Sequence, residues 1–330
     1  MRIGRINRTG AVVGTAVVLL GAVAAAGNAA VNSASVSYAA PAAGARWDYQ
    51  IGGTTEYTPA PAVVSRDNGE EAWRGLYNIC YVNAFQSQPG DRSLKAFWLR
   101  AGGSYVEDPN WPGEYMLDTR SRKADLVAAF TPVLRTCASK GFAAVEFDNL
   151  DSYERSKGGL AVDDNIAYVR ELIGVAHGLG LATAQKNAAD LAGRAPFDFA
   201  LAESCLLYDE CDEYTRAYST VLDVEYVEEM SAASFQKRCA AAVSSGSAPS
   251  FVLRDQDVSA QGARQWCSAQ KTAQKTAGTP RTTTPKMTVT NTSTVATKTA
   301  PTRGTWKPTD RFPRHRLTTT APRRHWSNGE

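Results

Sequence analysis

Polar residues suited to acid–base chemistry recur between residues 48 and 255 of this sequence, each time at or just beyond the end of a short apolar run. They are Asp48 with Gln50, Asp67, Tyr81 with Asn83, Asp148 with Asn149 and Asp151, Lys186 with Asn187, Glu203, Glu225 with Tyr226, and Arg254 with Asp255. Carboxyl groups can give or take a proton or attack an electrophile, and a lysine beside them holds a neighbouring carboxyl ionised. Taken singly, an Asp or Asn at such a place is more often a helix N-cap. Eight recurrences at one kind of position point to a shared site.

The runs that lead into these residues read as strands over 46–51, 62–67, 77–84, 142–147, 181–185, 197–202, 220–224 and 250–253. Helical stretches alternate with them, most clearly over 124–139 and over 163–179, the second ending between Gly178 and Gly180. Strands alternating with helices make parallel sheets joined by crossover connections. Eight such units in about 220 residues predict an α/β fold of the (β/α)8 TIM-type barrel, whose site lies at the C-terminal strand ends. An open doubly wound sheet is the alternative, weakened because no G-x-G-x-x-G follows the first strand.

The chain has 330 residues, 43% hydrophobic and 9% aromatic, enough for a sizeable core and unlike a disordered or fibrous protein. Its net charge of +3 conceals unlike parts. Residues 1–45 hold three arginines and no acid, and residues 268–330 hold 12 basic residues against Asp310 and Glu330. That leaves 21 basic and 31 acidic residues in 46–267, a net charge of −10. An acidic domain repels nucleic-acid phosphates, so no nucleic-acid partner is expected, and neutral or cationic ligands are.

Arg2, Arg5 and Arg8 precede the apolar, Ala/Gly-rich run 11–26 and then small residues, the pattern of a secretory signal peptide. Cleavage near Ala29 or Ala39 assigns 1–39 to a signal peptide and short leader, 40–267 to the barrel, and 268–330 to a disordered Thr/Pro-rich basic tail. The run is too short and small for a spanning helix, so a soluble, secreted monomer with no membrane span after cleavage is expected. The tail could tether the protein to anionic cell-wall polymers. Six cysteines, Cys80, Cys137, Cys205, Cys211, Cys239 and Cys267, then read as disulfides; 15 pairings are open, with near neighbours favoured at Cys205/Cys211 and Cys239/Cys267. No C-x-x-C pair or histidine cluster is present, and His177 is the only histidine before residue 315, so no metal site or other cofactor is expected.

The segments Val145-Glu146-Phe147-Asp148-Asn149-Leu150-Asp151-Ser152-Tyr153 and Ala202-Glu203-Ser204-Cys205-Leu206-Leu207-Tyr208-Asp209-Glu210-Cys211 carry a resemblance, together with Gln185-Lys186-Asn187, Ile79-Cys80-Tyr81 and Val224-Glu225-Tyr226. The chain resembles glycoside hydrolase family 114, the secreted endo-α-1,4-polygalactosaminidases, from about Trp47 to Arg254. The resemblance implies a (β/α)8 barrel that cuts partially deacetylated, cationic α-1,4-galactosamine polymers, in keeping with the acidic domain. The family's D-N-x-D motif matches Asp148, Asn149 and Asp151, and its glutamate on the sixth strand matches Glu203. On the third strand, where the family pattern reads C-Y-x-S-A-G, this chain has Cys80-Tyr81-Val82-Asn83-Ala84-Phe85, followed by an irregular stretch to Tyr115.

Glycoside cleavage needs two carboxyl groups flanking the scissile bond. The expected pair is Asp148 as nucleophile and Glu203 as acid/base, with Asp151 able to replace Asp148 and with retention of configuration. Lys186 would keep Asp148 ionised and bind a ring hydroxyl, and Asn149, Asp151 and Asn187 would line the substrate site. Asp48, Asp118 and Glu225 could receive substrate ammonium groups, and Trp47, Tyr81, Tyr208 and Tyr226 could stack on sugar faces. The alternative is a barrel that binds polysaccharide or cell wall without cutting it.

Overall fold

The structure is a computed structural model that describes residues 38–246 and 248–270. Residues 1–37 and 271–330, which hold most of the expected leader and tail, lie outside the described residues. Eight parallel strands form the barrel: β1 (Trp47–Gln50), β2 (Val63–Asp67), β3 (Tyr77–Asn83), β4 (Ala144–Asp148), β5 (Ala182–Lys186), β6 (Phe199–Glu203), β7 (Val221–Tyr226) and β8 (Ser250–Arg254). Each hydrogen-bonds to the next in chain order, and β9 (Arg264–Trp266) adds antiparallel to β8. Six helices connect them: α1 (Lys123–Ser139), α2 (Ser152–Arg155), α3 (Val162–Gly178), α4 (Cys205–Tyr208), α5 (Cys211–Ala217) and α6 (Ala232–Ser245). The fold is therefore the expected (β/α)8 type, but β1 and β2 are followed by loops and β5 by a single 3₁₀ turn, Ala189–Leu191, rather than by full helices. No described helix is long and apolar enough to cross a membrane.

The barrel closes between β1 and β8 through side chains instead of a backbone ladder. The Trp47 indole donates to Ser250 O at 2.7 Å, and the Trp266 indole donates to Trp47 O at 2.7 Å. Arg254 threads the same seam, donating to Asp48 Oδ1 at 2.6 Å and to Ser259 O at 2.7 Å.

Side chains alternate across each strand, so one residue parity fills the barrel and the other packs outward. Trp47, Tyr49, Ile79, Tyr81, Phe199, Leu201, Val224 and Tyr226 share the interior cluster. Val145, Phe147, Ala200 and Ala202 face out, onto Leu126, Phe130 and Leu134 of α1 and Val169, Leu172 and Ile173 of α3. The spacing of four in α1, and of three and four in α3, makes those stripes, and each large side chain so buried contributes about 1.5–3 kcal/mol. Truncating Phe147 to alanine would open a cavity under both helices at a cost of about 3–5 kcal/mol.

Three disulfides staple the outside: Cys80–Cys137 ties β3 to α1, Cys205–Cys211 closes the loop after β6, and Cys239–Cys267 ties α6 to the segment after β9. The two near-neighbour pairs are those favoured by spacing.

Candidate active site

On β4, Ala144 faces the interior, which by alternation places Glu146 and Asp148 on the same face. Asp148 ends the strand with its side chain 17% exposed, so its carboxyl reaches the cleft above. Tyr81 of the neighbouring β3 donates its hydroxyl to Asp148 Oδ2 at 2.7 Å, and the Asn149 amide donates to Oδ1 at 2.9 Å. Glu203 ends β6 and is 30% exposed. Tyr226 donates to Glu203 Oε1 at 2.5 Å. Asn187 clamps the same residue twice: its amide group donates to Oε2 and its carbonyl accepts the Glu203 backbone N–H, both at 2.8 Å.

Lys186 at the end of β5 sits between the two acids. Its ammonium lies 3.3 Å from Asp148 Oδ1 and 3.3 Å from Glu203 Oε2, and donates to the Tyr49 hydroxyl at 2.9 Å. At 1% exposure it is buried between the two acids and is not among the residues that line the cleft. The residues directly after these three strand ends, Asn149, Asn187 and Ser204, have φ values of 68°, 51° and 61°. Non-glycine residues in the left-handed region are uncommon and cluster at functional sites, and here they turn the chain sharply away while the preceding side chain stays in the mouth.

Burial alone would raise the Asp148 pKa, but the Lys186 charge, the Tyr81 hydroxyl and the Asn149 amide together hold it below the ordinary aspartate value. Lys186 behaves conversely: desolvation disfavours its charge, yet Asp148, Glu203 and Glu146 keep it protonated, with its pKa well above the ordinary lysine value. Glu146, fully buried two residues below Asp148, is pushed up to about 7 by desolvation against the opposing pull of Lys186. Its Oε1 accepts from Ser65 Oγ at 3.1 Å, while Oε2 has no hydrogen-bond partner among the described residues. A neutral carboxyl is the form this cavity accommodates.

Above the pair lies a cleft of about 240 Å³. Tyr81, Asp148, Asn149, Asp151, Asn187 and Glu203 line it, so the structure gathers these candidates in one place. Asp151 is engaged by Arg155, whose Nη1 donates to Oδ2 at 2.7 Å. Arg155 also donates to Asn149 Oδ1 at 3.0 Å and to the buried Asp108 at 2.8 Å.

Other candidates lie elsewhere. Asp48 alternates with the inward Tyr49 and so leaves the interior for the barrel seam, where Arg254, Arg264, Gln50 and Tyr57 occupy its carboxylate at 2.6–3.0 Å. Glu225 alternates with the inward Tyr226; its Oε1 accepts the Leu206 and Leu207 amides and caps α4 from outside the barrel. Asp118 accepts the Arg120 and Ser121 amides in the turn before α1. Tyr208 lies in α4 and pairs with Glu229, and Trp47 is fully buried. None of these five lines the cleft.

Sequence reasoning missed Glu146, Arg155 and the contribution of the long excursion between β3 and α1, which brings Gln88, Asn110, Trp111 and Glu114 to the cleft. Length was the available signal for the excursion, since connections this long are usually functional. Cys205, Cys211 and Asp223 form a three-residue group of metal-ligating types, but its sulfurs are joined in a disulfide.

A profile of glycoside-hydrolase family GH114 matches residues 27–272. No curated protein matches the chain. Among solved structures, the chain is similar to Aspergillus fumigatus Ega3 in complex with galactosamine, at 21% identity and a TM-score of 0.57, covering 70% of this chain and 99% of that one. It is also similar to the glycoside hydrolase domain of PelA from Pseudomonas aeruginosa, at 13% identity and a TM-score of 0.47, covering 66% and 97%. The first likeness supports the barrel fold. With the family profile spanning most of the sequence, the chain belongs to glycoside hydrolase family GH114 and is a glycosidase.

Proposed function

We propose that the protein is a secreted, endo-acting glycosidase that cleaves α-1,4-linked galactosamine-containing polysaccharide with retention of configuration. The observation that carries this reading is the Lys186 ammonium shared between Asp148 and Glu203 at 3.3 Å each. It brings the two nearest carboxyl oxygens within twice that distance of each other. That upper limit admits the separation of about 5–5.5 Å at which one carboxyl attacks the sugar while the other protonates the leaving oxygen, and lies at the lower edge of the roughly 6.5–9.5 Å of inverting enzymes.

Asp148, held ionised, is the nucleophile: it attacks the anomeric carbon as Glu203 protonates the departing glycosidic oxygen. Tyr81 fixes the attacking carboxyl, and Tyr226 and Asn187 fix the acid. Once Asp148 is esterified its charge is gone, and the Lys186 ammonium then acts mainly on Glu203. That favours the carboxylate Glu203 needs to take a proton from water in the second step. Asp151, tied to Arg155, is the weaker candidate for attack.

Galactosamine as the substrate unit rests on family membership, on the galactosamine complex of the Aspergillus fumigatus relative, and on the net charge of −10 over residues 46–267. The signal-like N-terminus and three disulfides support export, and the basic residues after 267 suit a tether to anionic wall polymers. The test is incubation with purified α-1,4-galactosamine polymer. Internal cleavage predicts a ladder of oligomers at early times, and proton NMR predicts the α-anomer as first product. Monomer alone would exclude endo action, the β-anomer would exclude retention, and no reducing ends at all would exclude the glycosidase reading of this substrate.

A further inference from the structure

The three carboxylates nominated for substrate ammonium groups, Asp48, Asp118 and Glu225, all lie away from the cleft, but the cleft contains an acid that sequence reasoning passed over. Glu114 lines it beside Trp111, in the same cleft as Asp148 and Glu203. The two residues are the ends of one tight turn, Trp111-Pro112-Gly113-Glu114. The Glu114 N–H donates to Trp111 O at 3.0 Å, and Gly113 has a φ of 92°. Proline second, glycine third at positive φ and a closing hydrogen bond are the marks of a type II turn. An indole and a carboxylate are thus presented together on a backbone with little freedom.

Hydrogen bonds tie this turn to the residues that follow Asp148. Gly113 N–H donates to Glu107 Oε1 at 2.6 Å, and Asn110 N–H donates to Asp108 Oδ1 at 2.8 Å. Asp108 in turn holds Arg155, which reaches Asn149 and Asp151. Glu114 itself accepts from Asn83 Nδ2 at 3.3 Å, and Asn83 accepts from Asn149 Nδ2 at 3.0 Å. Trp111 is 40% exposed, one of three large apolar side chains so exposed among the described residues and the one that lines the cleft.

We propose that Trp111 and Glu114 form a subsite for a hexosamine unit carrying a free ammonium, next to the unit being cleaved. This rests on the function proposed above and adds where the charge of the polymer is read. The indole face covers the apolar face of the sugar ring, and the carboxylate receives the ammonium. Acetylation removes that charge, so the turn discriminates between deacetylated and acetylated units at this position.

The test uses the full chain carrying Glu203→Gln, titrated by calorimetry with an α-1,4-galactosamine tetramer and with its fully N-acetylated counterpart. In this background Trp111→Ala weakens both ligands by about tenfold or more, while Trp111→Tyr restores most of the loss. Glu114→Gln weakens the ammonium-bearing tetramer by about tenfold and leaves the acetylated one unchanged. Failure of the Glu203→Gln protein to bind either tetramer, equal affinities in all variants, or equal loss on both ligands with Glu114→Gln each overturns the subsite. The cleavage reading is decided separately, by reducing-end release from the polymer with the parent protein.

Discussion

Lys186 Nζ stands 3.3 Å from Asp148 Oδ1 and 3.3 Å from Glu203 Oε2, so a single buried charge compensates two acids that end different strands. Neighbouring strands in a parallel barrel present their ends side by side, and β5 lies between β4 and β6. The lysine therefore occupies the one strand end that touches both partners.

Removing that charge should cost both stability and turnover. Lys186→Met leaves the ionised Asp148 beside Glu203 with no compensating charge, and breaking a buried pair in this way costs about 3–5 kcal/mol. The ordinary aspartate pKa is near 3.8, and in the parent Asp148 lies below it, so its stabilising contribution is present above that pH and fades as the pH falls further. Denaturant midpoints should thus separate the variant from the parent widely at pH 7, by a margin that narrows only as the pH falls below the ordinary aspartate value. Equal midpoints at pH 7 would show that the ammonium is not compensating the pair.

Glu146 should make the protein less stable as the medium becomes more alkaline. Its pKa is raised to about 7 from an ordinary value of 4.5. Between these two values the folded state holds a proton the unfolded state has lost, so stability falls as pH rises from 4.5 to 7 and levels off above. The full effect is on the order of 3 kcal/mol. Glu146→Gln keeps the shape and a hydrogen-bonding oxygen and should remove that slope, leaving the variant the more stable protein at pH 8. A melting temperature with the same pH dependence in both proteins would contradict it.

The disulfides should divide between stability and function. Cys80–Cys137 spans 57 residues and Cys205–Cys211 only 6, so chain entropy assigns them about 4 and about 2 kcal/mol. Yet Cys205 follows Glu203 by two residues, and its N–H is held by Asp223 Oδ1 at 3.0 Å. A Cys205→Ala, Cys211→Ala double variant should lose a larger fraction of its kcat than the Cys80→Ala, Cys137→Ala variant when both are assayed well below their melting temperatures. The reverse order would remove the link between this loop and the acid/base.

Much of the site was legible because strand ends are legible. Apolar runs located β4, β5 and β6 to within two residues, and Asp148, Lys186 and Glu203 followed. What misled was treating neighbours at a strand end as equivalent. Trp47 and Asp48, or Glu225 and Tyr226, cannot both face the interior, because adjacent side chains point oppositely. The same alternation, applied two residues back from Asp148, would have found Glu146. Trp111 and Glu114 carried no comparable signal: they sit in a turn outside any periodic segment, and only the folded excursion brings them over the cleft.

The most direct test of the central assignment is the rate of reducing-end release from α-1,4-galactosamine polymer by the parent, Asp148→Asn, Glu203→Gln and Asp151→Asn proteins, each first shown to melt cooperatively. General acid–base assistance is worth about 10²- to 10⁴-fold, and a nucleophile acts through a covalent intermediate that no amide can form. Asp148→Asn and Glu203→Gln should therefore each fall by at least about a hundredfold, while Asp151→Asn keeps measurable turnover. Activity within about tenfold of the parent in either of the first two would contradict the pair.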